Sequence, residues 1–165
     1  MGLKLRSLSL NLPFGLGGAT IEISEAEARA AWALYVELST RVAVQPLEPG
    51  QGSIREALTS LYRIFDITRQ VLREAGPEIA DGPNALGPLA IRIVNQGLRP
   101  FLVRWHTAFR EFEVAQSATT EGQVDESAWQ HRAEFDEAME RTRVELAKYA
   151  QLLGEIAGVQ ESEHS

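Results

Sequence analysis

The sequence contains no cysteine, which excludes disulfide bonds and thiolate metal ligands. It also lacks a run of about eighteen apolar residues, the length that a membrane-spanning helix needs. The first 18 residues have no continuous apolar stretch and no small-residue cleavage pattern, so we expect no signal peptide. These absences predict a cytoplasmic protein that does not act at a membrane.

Positively charged residues are also fewer than negatively charged ones. The chain has 16 Lys and Arg against 23 Asp and Glu, which gives a formal net charge of −7. Proteins that bind nucleic acid broadly use clustered Lys and Arg to displace counterions, so this balance argues against a nucleic-acid partner. What remains is a chain of 165 residues, 44% of them apolar, and this suits one globular domain with a substantial core.

The N-terminal part of the sequence has the pattern of two strands. "LKLRSLSLNL" and "ATIEIS" are separated by "PFGLGG", and Ile21 and Ile23 alternate with polar residues as in a half-buried strand. In the first strand the alternation of leucines changes phase after Leu5, which predicts a β-bulge near Arg6–Ser7. An isolated two-stranded hairpin is barely stable in water, so it must pack on helices or pair with another chain.

Four later segments have the apolar spacing of amphipathic helices, with apolar residues three and four positions apart. The first two open with capping boxes, Ser24 with Glu27 and Ser53 with Glu56, in which each side chain satisfies a free backbone N–H. The last segment runs from about Asp125 to Ala157. Sustained spacing of this kind is typical of helical bundles.

The third segment, "NQGLRPFLVRWHTAFREF", contains a glycine and a proline. Its apolar spacing does not slip at Gly97 or Pro100. We therefore predict one helix that bends at Pro100, which cannot donate to the carbonyl of Gln96, with Gly97 leaving room for the proline ring.

These elements together predict a mainly α fold, a four-helix up-down bundle with an N-terminal β-hairpin. Residues 1–24 form the hairpin appendage, 25–158 the bundle and 159–165 a disordered tail. The three tryptophans lie on or next to apolar stripes, so we expect them to anchor the core: Trp32, Trp105 and Trp129.

Motifs that carry chemistry are few. The bundle seams are apolar and the Glu-x-x-His spacing from Glu161 to His164 falls in the tail, so we expect no metal and no cofactor. Gly-Pro occurs three times in "GPEIADGPNALGP", over residues 76–88. These repeated Gly-Pro pairs break helices and predict an ordered loop, which either connects two helices or binds a small ligand.

Arg99 and His106 lie two turns apart on one helix face, about 10 Å along the axis. A histidine can shuttle protons at neutral pH, and an arginine can neutralise developing phosphoryl charge. The segment "RPFLVRWH" resembles the HEPN family of all-α ribonucleases, and the resemblance implies that Arg99 and His106 are catalytic residues, completed by dimerisation. The structural alternative is a surface ion pair for Arg99, with the ring of His106 packed beside Trp105 or Phe109.

A wider resemblance covers "GSIREALTSLYRIFDITRQVLREAGP" and "LRPFLVRWH", which are similar to uncharacterised bacterial helical-bundle proteins. Our main interpretation is a non-enzymatic protein–protein interaction module of a bacterial cytosolic system, which binds another protein or a second copy of itself. The hairpin edge would extend a partner's sheet, with Phe14 and Leu16 at its tip as contacts. The alternatives are a HEPN-like ribonuclease using Arg99 and His106, and a small-ligand sensor using the loop at 76–88.

Overall fold

The computed structural model describes residues 4–41, 53–119 and 124–160, with the side chains from residue 6 onward. These residues form a mainly helical fold with an N-terminal antiparallel hairpin, which confirms the predicted fold class. The strands are β1 (Lys4–Asn11) and β2 (Gly18–Ser24); the helices are α1 (Glu25–Ser39), α2 (Ile54–Ala75), α3 (Leu86–Arg92), α4 (Arg99–Thr119) and α5 (Arg132–Ala157).

The chain stays helical from α3 into α4, as the unbroken spacing predicts, but the irregularity differs from a simple proline bend. A π-helical turn, Ile93–Leu98, joins the two helices, and the N–H of Arg99 bonds to the carbonyl of Val94. Pro100 has no N–H to donate, and widening the preceding turn by one residue takes up the disturbance.

The hairpin packs on the helices. β1 and β2 pair from Arg6 opposite Ile23 to Asn11 opposite Gly18, with a register shift after Lys4, slightly earlier than the predicted bulge. One face of the hairpin enters the same core cluster as the helices and contributes these buried side chains: Leu10, Leu12, Ile21 and Ile23.

Two of the three tryptophans anchor the core. Trp105 and Trp129 are buried and pack edge to face, with ring centroids 5.8 Å apart. The prediction was wrong for Trp32, whose side chain is 52% exposed. The buried face of α1 passes through Ala30 and Leu34, and Trp32 is two positions from each, about 200° around the helix.

Helix ends follow local signals where these are strong. The Ser24–Glu27 capping box is confirmed, and Gly158 ends α5 in the left-handed conformation, with φ of 82°. The second capping box is confirmed only in half. Ser53 accepts from the N–H of Glu56, but Glu56 does not reach back to the N–H of Ser53, and Glu126 instead accepts from the next backbone donor of the helix start. Its Oε1 and Oε2 accept from the N–H of Ile54 at 3.1 and 3.0 Å.

The predicted loop at 76–88 is shorter than expected. A 3₁₀ turn occupies Pro77–Ala80, and α3 already begins at Leu86, so Pro88 lies in its first helical turn. A proline is tolerated there because N–H groups of the first turn have no intrahelical partner. At the other connection, Asp125 opens a 3₁₀ turn, Glu126–Ala128, and α5 starts only at Arg132.

The Glu161-to-His164 spacing lies outside the described residues, as does most of the predicted tail. Across the ranges that the structure covers, every helix is too short or too polar to cross a membrane.

Candidate functional site

The hairpin tip is fixed to two helical elements. The N–H of Phe14 donates to Oε2 of Glu145 on α5 at 2.7 Å. The Phe14 ring lies against Gly97 in the π turn, where a Cβ would come within 2.3 Å of the ring. Phe14 and Leu16, the predicted partner contacts, are both half-buried and pack against the core cluster of their own chain.

Gly97 therefore makes room for the ring of Phe14, a contact that the sequence prediction for Gly97 did not include. Phe14 has φ of 60°, a left-handed conformation that costs a residue with a Cβ about 1–2 kcal/mol. Its contacts with Gly97 and Glu145 offset this cost and hold the turn in one conformation. Nothing in the sequence near Gly97 indicates this contact, because the two residues belong to distant segments.

Glu145 is held ionised at this position. Burial of its carboxyl acts to raise the pKa, but hydrogen bonds from the Phe14 N–H and from Lys148 outweigh burial and leave the pKa below its ordinary value. The carboxylate therefore stays a strong acceptor for the hairpin tip at neutral pH.

The outer edge of β1 carries backbone N–H and C=O groups that pair with no other described strand. The N–H of Leu12 donates to the carbonyl of Gly17 at 2.8 Å and sets the phase of the hairpin. Hydrogen-bonded and non-hydrogen-bonded pairs alternate in an antiparallel ladder, so Leu10 pairs through hydrogen bonds, whereas Ser9 and Thr20 direct their backbone groups outward. By the same alternation, Ser7 and Asn11 also present N–H and C=O groups at the outer edge of β1.

The two edges of the hairpin differ in their surroundings. The sheet has two strands, so no described strand borders β1 on its outer side. Ser7, Ser9 and Asn11 are exposed and uncharged, and proteins usually protect an edge with charges or proline. The outer residues of β2, Thr20 and Glu22, instead line a cavity of about 280 Å³ together with the loop at 81–85.

Arg99 and His106 share a face of α4 as predicted, and that face packs on α2. Arg99 donates to Oδ1 of Asn95 at 2.9 and 3.2 Å, and its guanidinium carbon lies 4.7 Å from the ring centroid of Phe65. His106 packs edge to face on Tyr62 at 5.2 Å. The ring partner of His106 thus comes from α2, and neither Trp105 nor Phe109 takes that role.

His106 also lines an open cavity of about 470 Å³ along α4, with Thr107, Arg110, Glu111, Val114 and Ala115. Arg99 does not belong to this lining, and its side chain is occupied by Asn95 and Phe65. The ribonuclease hypothesis needs both side chains at one phosphodiester, and it stays a prediction.

The loop at 76–88, here called the Gly-Pro loop, is the basis of the ligand-sensor hypothesis. It contributes Asp81 and Asn84 to the cavity beside β2. The opposite wall carries Thr20 and Glu22, so the cavity is polar and acidic. Within the described ranges, no three His, Asp or Glu side chains are arranged to hold a metal ion.

Glu27 has a role that the sequence only half indicates. Its buried carboxylate accepts from the N–H of Ser24 at 3.2 Å, and its other oxygen accepts from the N–H of Leu86 at 3.0 Å. Leu86 opens α3, whose N-cap residue Ala85 supplies no side-chain bond. One carboxylate therefore caps two helices, and this fixes the end of the Gly-Pro loop against the hairpin and α1.

Comparisons of the chain with protein-family models, with curated proteins and with solved structures found no match.

Proposed function

We propose that this protein is a non-enzymatic interaction module that binds another protein by adding a strand of the partner to the outer edge of β1. The observation that carries the proposal is the row of outward backbone groups at Ser7, Ser9 and Asn11, which border no described strand. An extended peptide gains main-chain hydrogen bonds at such an edge.

The edge is ordered before any partner arrives. The inward side chains of β1, Leu10 and Leu12, are buried in the core. Arg6 donates to the carbonyl of Ile156 near one end of the strand, and Phe14 is held by Glu145 near the other. Binding to an ordered edge avoids the entropy loss of ordering the strand, so more of the interaction free energy appears as affinity.

The exposed side chains at Ser7, Ser9 and Asn11 are small and uncharged, so an added strand meets no bulky or charged side chain along this stretch, and the exposed charged residue of β1 with a described side chain, Arg6, lies towards the start of the strand. The half-buried Phe14 and Leu16 lie in the turn that follows β1, where their exposed parts would contact one end of the partner's strand. Backbone bonds would then supply affinity, and contacts beside the turn would supply specificity.

The proposal is tested by two matched proline substitutions. Ser9→Pro removes an outward N–H of β1 without removing a hairpin bond, because Ser9 belongs to a non-hydrogen-bonded pair. Thr20→Pro makes the same change at the residue opposite, on the edge of β2. Immobilised wild-type protein and both variants are exposed to a bacterial lysate, and the captured proteins are compared by quantitative mass spectrometry.

We expect a protein that wild type and Thr20→Pro retain and Ser9→Pro loses. Hydrogen exchange of the purified complex should then show new protection at the amides of Ser7, Ser9 and Asn11. Equal capture by all three proteins, or loss in Thr20→Pro alone, would show that β1 is not the binding edge. Unfolding curves for both variants check that the hairpin remains folded.

A further inference from the structure

A small cavity lies between α1 and the C-terminal end of α5, with a volume of about 200 Å³. Its walls are Tyr35, Gln151, Gly154, Glu155 and Val159. Sites for drug-sized ligands usually occupy roughly 300–1,000 Å³, so this cavity suits a group the size of one side chain.

An aromatic ring and a glycine shape the cavity. A Cβ on Gly154 would lie 3.1 and 3.3 Å from two carbons of the Tyr35 ring, so the glycine lets the ring rest against α5. Tyr35 also stacks on Trp32, with centroids 5.7 Å apart and planes 30° apart. The cavity therefore has an aromatic wall whose position depends on Gly154.

The electrostatics of the cavity favour a cation. The Glu155 side chain is exposed and forms no ion pair with any described residue. Gln151 lies four residues earlier, on the same helix face. Both belong to the last turns of α5, where the partial negative charge of the helix dipole adds to that of the carboxylate. Arg6 offsets part of this charge, but it donates to the carbonyl of Ile156 and not to Glu155.

We propose that this cavity binds a guanidinium group, carried by an arginine side chain of a peptide or by a small alkylguanidine. A planar guanidinium stacks on an aromatic face and donates to a carboxylate through two parallel bonds. Here Tyr35 supplies the face, Glu155 the carboxylate, and the amide oxygen of Gln151 a further acceptor. This binding is separate from strand addition at β1 and does not depend on it.

The test is a titration of the full chain with N-acetylarginine amide and with methylguanidine, followed by ¹H–¹⁵N NMR. N-acetylcitrulline amide, which has the same shape without the charge, is the control ligand. Trp32 is 52% exposed, whereas Trp105 and Trp129 are 3% and 4% exposed, so its indole signal is the natural reporter. We expect saturable shifts at Trp32 and at the Gln151 side-chain amide with both guanidines and none with citrulline.

The two guanidines also distinguish the sources. Tighter binding of the capped arginine supports a peptide, and equal affinities support a small guanidine.

Two substitutions on one helix test the role of the carboxylate. Glu155→Gln should weaken binding of the capped arginine by about tenfold or more, as the loss of a charge-assisted pair implies. Glu137→Gln removes the same charge at another exposed position of α5 and should change affinity less than twofold. The absence of saturable shifts, an equal response to citrulline, or equal weakening by both substitutions would overturn the proposal.

Discussion

Substituting Gly97 by alanine tests how the hairpin is joined to the helices. The added Cβ would come within 2.3 Å of Cδ2 and 2.5 Å of Cγ in Phe14, closer than any real contact, so the ring must leave its position. These ring atoms stand close to the backbone of a turn that is also held by Glu145, so a small side-chain rotation does not relieve the clash.

The magnitude follows from two opposing terms. Truncating a fully buried Phe costs about 3–5 kcal/mol, and for the half-buried Phe14 we take about 2 kcal/mol for loss of its contact. Alanine in place of a helical glycine stabilises the helix by about 0.5–1 kcal/mol. Gly97→Ala should therefore lower the free energy of unfolding by about 1 kcal/mol. In a Phe14→Ala background the clash is absent and only the helix preference for alanine remains. Gly97→Ala should then raise the free energy of unfolding by about 0.5–1 kcal/mol.

The assay is a double-mutant cycle measured by urea unfolding with far-UV circular dichroism. We expect a coupling free energy of about 2 kcal/mol between the two positions. Gly18→Ala is the control glycine, because its Cβ would meet only the carbonyl of Leu10 at an ordinary 3.6 Å, and it should not couple to Phe14→Ala. If Gly97→Ala has the same effect with and without the Phe14 ring, the contact does not fix the hairpin and our reasoning is refuted.

Two further predictions concern buried polar groups. Glu27→Ala leaves the N–H groups of Ser24 and Leu86 buried without their acceptor, so it should lower the free energy of unfolding by about 3 kcal/mol or more, measured by urea unfolding; a loss below about 1 kcal/mol contradicts the double cap. Tyr149→Phe should instead raise it by about 1 kcal/mol, because the buried Tyr149 hydroxyl has no hydrogen-bond partner among the described residues and burial raises its pKa. A destabilised Tyr149→Phe would reveal a bonded hydroxyl.

The sequence predicts features of this fold that depend on neighbouring residues. The Ser24–Glu27 box and the end of α5 at Ala157 were predicted correctly, because a helix cap and the left-handed glycine that follows α5 act within one turn of a helix. Features that join distant segments were missed. Glu126 accepts from the N–H of Ile54 at the start of α2, and the ring of Phe14 lies against Gly97, and no local spacing indicates either contact.

The candidate sites, too, were predicted where neighbouring residues determine them and missed where distant segments meet. Helical periodicity placed Arg99 and His106 on one face, and the structure agrees. It did not indicate that α2 supplies Phe65 and Tyr62 as their neighbours, because periodicity describes one helix and not what packs on it. Strand alternation likewise predicted the hairpin, but only its pairing with a single partner strand identifies the open edge of β1.

The double cap at Glu27 has a consequence for how the molecule opens. Elements of a protein often unfold locally, each with its own free energy, and a loop next to a short helix is usually among the first to do so. Here the first turn of α3 cannot separate from α1 without leaving the buried carboxylate of Glu27 short of a donor. The start of α1 and the start of α3 should therefore open as one cooperative unit. Hydrogen exchange of their amides would then give one common free energy of opening, although they lie far apart along the chain.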